Sequence, residues 1–238
     1  MPICVLSFIQ IYLVLACYFS QDITGPVPEE ITNMAALQFL SLCGCQLTGF
    51  IPDALGAELT NLRTLALAGN QITGSLPDTI NHLENLRSLW LQENRLCGTI
   101  PSVGALDELR QLDLSSNAFG GELPYDINGC RELMRFDVSH NQLQGGVPTT
   151  YGRLGKLSTL NLSHNFFSGE FPTPVLTSLR SLQECHLGFN KFVGELPINF
   201  EPLEGLVELT VESNKLTGQI PTSISKLENL TVLELQVQ

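Results

Sequence analysis

Apolar residues recur along this chain in one fixed frame. Asn70, Asn94, Asn117, Asn141, Asn165, Asn190 and Asn214 stand 24, 23, 24, 24, 25 and 24 residues apart. Ahead of each asparagine the spacing L-x-x-L-x-L-x-x-N returns, as in Leu62, Leu65, Leu67 before Asn70 and Leu109, Leu112, Leu114 before Asn117. The next copy softens to Leu133, Phe136, Val138 but stays apolar. After the asparagine come an apolar residue, a glycine, a second apolar residue and a proline, as in Ile72, Gly74, Leu76, Pro77 and Leu216, Gly218, Ile220, Pro221. Cys45 takes the asparagine slot in an earlier copy, a partial copy ends in Ile23, Gly25, Val27, Pro28, and the chain runs into another at Leu230, Leu233, Leu235.

Alternation with period two predicts a short strand with its leucines on the buried face. One repeat cannot cover its own leucines, so successive copies stack as a parallel sheet. The asparagine side chains then form a structural ladder up the stack, with Cys45 as a small buried donor in the same slot. Glycine permits a tight turn and proline ends strand pairing. Residues 78–85 and 223–229 return along the convex side as short helical turns. These expectations add to an α/β solenoid of about nine copies over residues 21–238, the last one truncated.

The consensus L-x-x-L-x-L-x-x-N-x-L-x-G-x-apolar-P resembles the plant-specific class of leucine-rich repeats. The carrying segments include Gly98-Thr99-Ile100-Pro101, Gly121-Glu122-Leu123-Pro124, Gly169-Glu170-Phe171-Pro172 and Gly194-Glu195-Leu196-Pro197. The resemblance implies a horseshoe with a right-handed superhelical twist and a parallel sheet on its concave face. It also implies display outside the cell or at the outer face of the plasma membrane, as the ectodomain of a receptor-like kinase or receptor-like protein. Its partners would be a peptide or protein ligand and a co-receptor. The alternative is a secreted inhibitor similar to the polygalacturonase-inhibiting proteins. Three departures from the family stand out: no paired cysteines flank the first repeats, no membrane span follows the array, and there is no kinase glycine-rich loop, HRD or DFG triplet. A fragment of a longer receptor is the expectation, with a remnant that lost its signalling half as second choice.

Residues 1–20 form an apolar leader whose uncharged core runs from Ile3 to Phe19. That length is short for a membrane span and suits a signal peptide. No Lys or Arg precedes it, so a signal anchor and a degenerate first repeat stay open. Any membrane link would run through this segment or through a missing C-terminal span. The seven cysteines, Cys4, Cys17, Cys43, Cys45, Cys97, Cys130 and Cys185, contain no C-x-x-C, and no histidine cluster completes a zinc site. Most read as structural thiols, with Cys185 buried in a leucine position. Two sequons, at Asn161 and Asn229, suit glycosylation in the secretory pathway.

Charge narrows the partners. Against 12 Lys and Arg stand 24 Asp and Glu, a net charge of −12, which repels phosphate backbones and argues against nucleic acid. Catalytic signatures are weak. Gly152-Arg153-Leu154-Gly155-Lys156 imitates a phosphate loop, but Leu157 stands where Ser or Thr must bind magnesium. His140 and His164 hold one position in adjacent repeats, close enough to stack, and read first as solvated positions of the S-H-N consensus. Asp113 and Asp137 are likewise neighbours across strands about 4.8 Å apart, a relation that repetition alone produces. The chain is read as a non-catalytic binding module without metal or cofactor.

If the leucines point inward, the residues between them form the concave surface. Its central column runs Ser41, Ala66, Trp90, Asp113, Asp137, Asn161, His186, Thr210, Glu234. One flank is Phe39, Thr64, Ser88, Gln111, Arg135, Thr159, Glu184, Glu208; the other runs from Cys43 through Ala68, Gln92, Ser115, Ser139, Ser163 and Gly188 to Glu212. The candidate contacts are Phe39, Trp90, Asp113, Arg135, Asp137, His186, Glu208 and Glu212. Trp90 is the aromatic anchor of this set. The acidic C-terminal end, with Glu184 and Glu234, favours a basic ligand.

Overall fold

The computed structural model describes the backbone of residues 13–16 and the whole of residues 23–236. The remainder of the apolar leader, together with Cys4 and Cys17, lies outside the described residues. Ten parallel strands form one sheet in strict chain order, from Leu13–Ala16 and Leu37–Ser41 to Glu208–Thr210 and Val232–Glu234. Each later repeat contributes a strand of three residues, such as Ser88–Trp90 or Arg135–Asp137. Short strands suffice because the buried leucine at the centre of each stacks on its equivalents: Leu65 on Leu89, Leu89 on Leu112, Leu112 on Phe136. Burying one such side chain contributes roughly 1.5–3 kcal/mol. The leucines of all repeats merge into one continuous core.

The asparagine ladder is hydrogen-bonded at every rung. Asn165 Oδ1 accepts from Leu143 N–H at 3.0 Å, while its Nδ2 donates to Val138 O at 2.9 Å, both in the preceding repeat. Asn70, Asn94, Asn117, Asn141, Asn190 and Asn214 make the same pair of bonds to the repeat before them. Buried polar groups are thereby satisfied where the strand turns away from the sheet. Cys45 is buried in the equivalent slot and its thiol reaches Cys43 O at 3.7 Å.

The segment after the asparagine does more than turn. It pairs as a second parallel sheet of seven strands, from Thr73–Ser75 to Lys215–Leu216, beside a two-stranded sheet of Thr24–Pro26 and Gln46–Thr48. Gly74 shows why glycine is needed there. Its φ is +81°, and a Cβ would run into the Phe50 ring. The proline then ends pairing, and the convex side follows as short helical turns such as Asp78–His82 and Thr222–Lys226, with α-helical turns at Asp53–Glu58 and Thr173–Leu176. Among the described residues no helix is long and apolar enough to cross a membrane.

Candidate ligand-binding face

The concave columns align as the alternation predicts. Ser41, Ala66, Trp90, Asp113, Asp137, Asn161, His186, Thr210 and Glu234 are register partners in turn, and so are Phe39, Thr64, Ser88, Gln111, Arg135, Thr159, Glu184 and Glu208. Phe39, Trp90, Asp113, Arg135, His186, Glu208 and Glu212 are half-buried, which leaves part of each in contact with solvent. Asp137 differs. It is only 4% exposed, so its place among the solvent-facing contacts is corrected: packing between Arg135 and Ser139 covers it.

The centre of the face is organised by three repeats of one local device. Asp113 Oδ1 accepts from Ser115 N–H at 3.1 Å and from its hydroxyl at 2.7 Å. Asp137 does the same with Ser139, at 3.0 and 2.7 Å, and Asn161 with Ser163, at 3.1 and 2.8 Å. Arg135 spans the two acids, 2.9 Å from Asp137 and 4.0 Å from Asp113. Burial, with Asp137 as a lesser contributor, raises the Asp113 pKa above the usual carboxylate range, while the Ser115 bonds and Arg135 pull the other way. The device fixes carboxylate and guanidinium orientations before any ligand arrives.

Polarity then changes along the stack. Toward the N-terminus the face is apolar or small, with Phe39, Thr64, Ala66 and Trp90; toward the C-terminus it is acidic. Glu184 and Glu208 are direct register partners. Thr159 donates to Glu184 at 3.1 Å, and His186 stands 3.8 Å from Glu208 and 3.1 Å from the Thr210 hydroxyl. Glu212 lies across Gly188, and its buried Oε2 makes no hydrogen bond among the described residues. Like charges directly opposite each other destabilise a sheet, so a cation placed over Glu184 and Glu208 would relieve their repulsion.

Asn161 Nδ2, the atom a glycan would occupy, donates to Asp137 Oδ2 at 3.2 Å. Asn229 is exposed and its amide donates to Glu204 O at 2.9 Å. Cys43, Cys45, Cys97, Cys130 and Cys185 are free thiols, and burial pushes those of Cys130 and Cys185 up to about 12. Among the described residues no group of three or more His, Cys, Asp or Glu could hold a metal ion. His140 and His164, expected first as solvated consensus positions, stack with ring centroids 4.0 Å apart. Phe189, not among the sequence expectations, extends the stack at 4.1 Å. The signal was available, since Phe189 precedes Asn190 as His164 precedes Asn165.

Models of the leucine-rich repeat match residues 35–96, 60–119, 156–177 and 205–227, together more than half of the chain. Among solved structures the chain is similar to a plant peptide hormone receptor, RGFR1, in complex with RGF2 (31% identity, TM-score 0.85, covering 93% of this chain and 39% of that one). It is similar to the Arabidopsis receptor kinase HAESA in complex with the peptide hormone IDA and the co-receptor SERK1 (30%, 0.82, covering 89% and 36%). A plant ice-binding protein matches as well (30%, 0.75, covering 87% and 66%). This chain therefore spans less than two fifths to two thirds of the lengths of these relatives. No curated protein matches it. Repeat spacing, asparagine ladder and the matching repeat models agree: the chain belongs to the leucine-rich-repeat family.

Proposed function

We propose that this solenoid is a non-catalytic module that binds an extended peptide or a protein segment along its concave face. In this reading it belongs to an extracellular receptor-like kinase or receptor-like protein at the outer face of the plasma membrane. The observation that carries the reading is the graded face itself: half-buried Trp90 and Phe39 at one end, the Arg135 cluster at the centre, and Glu184, Glu208 and Glu212 at the other. An apolar anchor on Trp90 and a basic terminus over the glutamates would satisfy both ends of one extended chain, fixing its direction. The relatives solved with peptide hormones support this choice, and the one solved with a co-receptor supports a third participant.

The test is a panel of synthetic peptides with basic residues at one end and apolar residues at the other. Binding is expected to weaken at least about tenfold for Trp90→Ala, and to weaken again for Glu184→Lys with Glu208→Lys. Peptides that bind both variants as tightly as the parent protein would rule out the concave face as the site.

A further inference from the structure

Beside the asparagine ladder, on the rim between the two sheets, the surface has a different character from the rest of this acidic protein. The rings just before the asparagines stack from repeat to repeat, while the residue just after each asparagine pairs further out on the preceding repeat, Phe166 with Gln144, Lys191 with Ser168 and Lys215 with Val193. Across the four repeats of Asn141 to Asn214 these positions, with the next outward one, hold His140, His164, Phe166, Phe189, Lys191 and Lys215 among neutral neighbours. None of the twelve positions is acidic, in a chain with twice as many acids as bases. Acids border the strip: Glu170 is the register partner of Val193, Glu195 lies against Gly218, and Glu212 lies against Gly188 on the concave side.

Two observations argue that this strip is more than an unremarkable surface. First, it concentrates exposed apolar area: Phe166 is 48% exposed, Phe189 42% and Val193 36%. Second, aromatic rings recur in the slot before the asparagine. His140, His164 and Phe189 have φ of 53°, 54° and 57°, the left-handed turn that Glu93, Ser116 and Ser213 also adopt in this slot. The first repeats place Gly44 and Gly69 in the same slot. The three rings stack at 4.0 and 4.1 Å, so their faces cover one another and their edges meet solvent. Lys191 Nζ lies 4.7 Å from the Phe166 ring centroid, adding a cation to the same patch. Exposed aromatic and aliphatic side chains gathered in one patch are a pattern that marks recognition surfaces.

We propose that this rim is a second docking surface, separate from the concave face. Its partner is a protein segment that presents aromatic or aliphatic side chains flanked by Asp or Glu. Apolar side chains would cover Phe166, Phe189 and Val193, and the carboxylates would meet Lys191 and Lys215. An acid-free rim also turns away basic segments less well satisfied there than on the glutamate-rich end of the concave face, so the two surfaces sort ligands by charge.

The repeats themselves supply substitutions that keep the fold. Ser116 and Ser213 already occupy the slot of Phe189, and Gln71 and Gln142 those of Phe166 and Lys191. The experiment measures binding of a fluorescent nonapeptide alternating Glu or Asp with Phe and Leu, beside its counterpart with Lys for every acid. The acidic peptide is expected to bind, and Phe166→Gln with Phe189→Ser and Lys191→Gln to weaken it about tenfold or more. The lysine counterpart is expected not to compete for this rim, and Trp90→Ala to leave the acidic peptide unaffected. Absence of binding, equal binding to the triple variant, or loss of binding in Trp90→Ala would each overturn the proposal. None of those outcomes bears on basic peptides at the concave face.

Discussion

Arg135 and Asp137 flank Phe136 on one short strand, and the guanidinium Nη2 stands 2.9 Å from a carboxylate that is almost wholly buried. The pair is lopsided. Arg135 is 42% exposed in its side chain, whereas Asp137 also accepts from Ser139 N–H, the Ser139 hydroxyl and Asn161 Nδ2. Removing the exposed partner leaves Asp137 three donors and should therefore cost less, about 1–2 kcal/mol. Removing the buried one strips four donors of their acceptor, and Asp137→Ala should cost about 2–4 kcal/mol. Urea unfolding of the two variants measures this order. Arg135→Ala proving the more damaging of the two would reject it.

The next carboxylate along the column behaves differently. Burial lifts the Asp113 pKa, with Asp137 adding to the effect, so the native state holds the proton more tightly than the unfolded chain does. Asp113 then contributes stability at acid pH that is lost as pH rises through its folded pKa. Asparagine already fills this slot one repeat beyond Asp137: Asn161 keeps both Ser163 bonds without a charge. Asp113→Asn should stabilise the protein near neutral pH by up to about 1 kcal/mol, the scale of one like-charge contact across strands. The gain should fade as pH drops toward about 4, where aspartate protonates. Melting temperatures of both proteins over that range decide it. A gain that grows on acidification contradicts the assignment.

Most of the concave face was legible in the sequence because alternation and a near-constant repeat leave no freedom of register. Once the leucines point inward, Trp90 must neighbour Asp113 and Asp113 must neighbour Asp137, and they do. Burial of Asp137 was not legible. It depends on which rotamer Arg135 adopts and on the serine two residues further on, relations a periodicity does not encode. The second sheet escaped for another reason. Its glycine and proline read as interruptions, yet Gly98 stays paired with Phe119 at a positive φ that glycine tolerates. Cysteine in the ladder slot, by contrast, was readable from register alone, since Cys45 precedes Leu47 as Asn70 precedes Ile72.

The ladder asparagines separate hydrogen-bond chemistry from packing. Asn165 offers one acceptor, used by Leu143 N–H, and one amine that faces the carbonyls of Val138, Leu162 and Ser163 at 2.9–3.2 Å. Asn165→Ala leaves a buried N–H and several carbonyls without their partner and should cost about 2–4 kcal/mol. Asn165→Asp is nearly isosteric and keeps the acceptor, but it turns an oxygen toward three carbonyl oxygens in a buried slot. If packing governed the ladder, aspartate would be tolerated better than alanine. If donor count governs it, aspartate should be at least as destabilising as alanine at neutral pH, and should recover part of the loss on acidification, when the protonated carboxyl can donate again. The exposed Asn61, whose amide donates to Ala35 O at 2.9 Å, serves as the control: Asn61→Asp should shift stability by less than about 0.5 kcal/mol. Thermal unfolding at two pH values measures all three, and an Asn165→Asp protein as stable as its parent at neutral pH would show that the rungs hold by shape and not by the bonds they make.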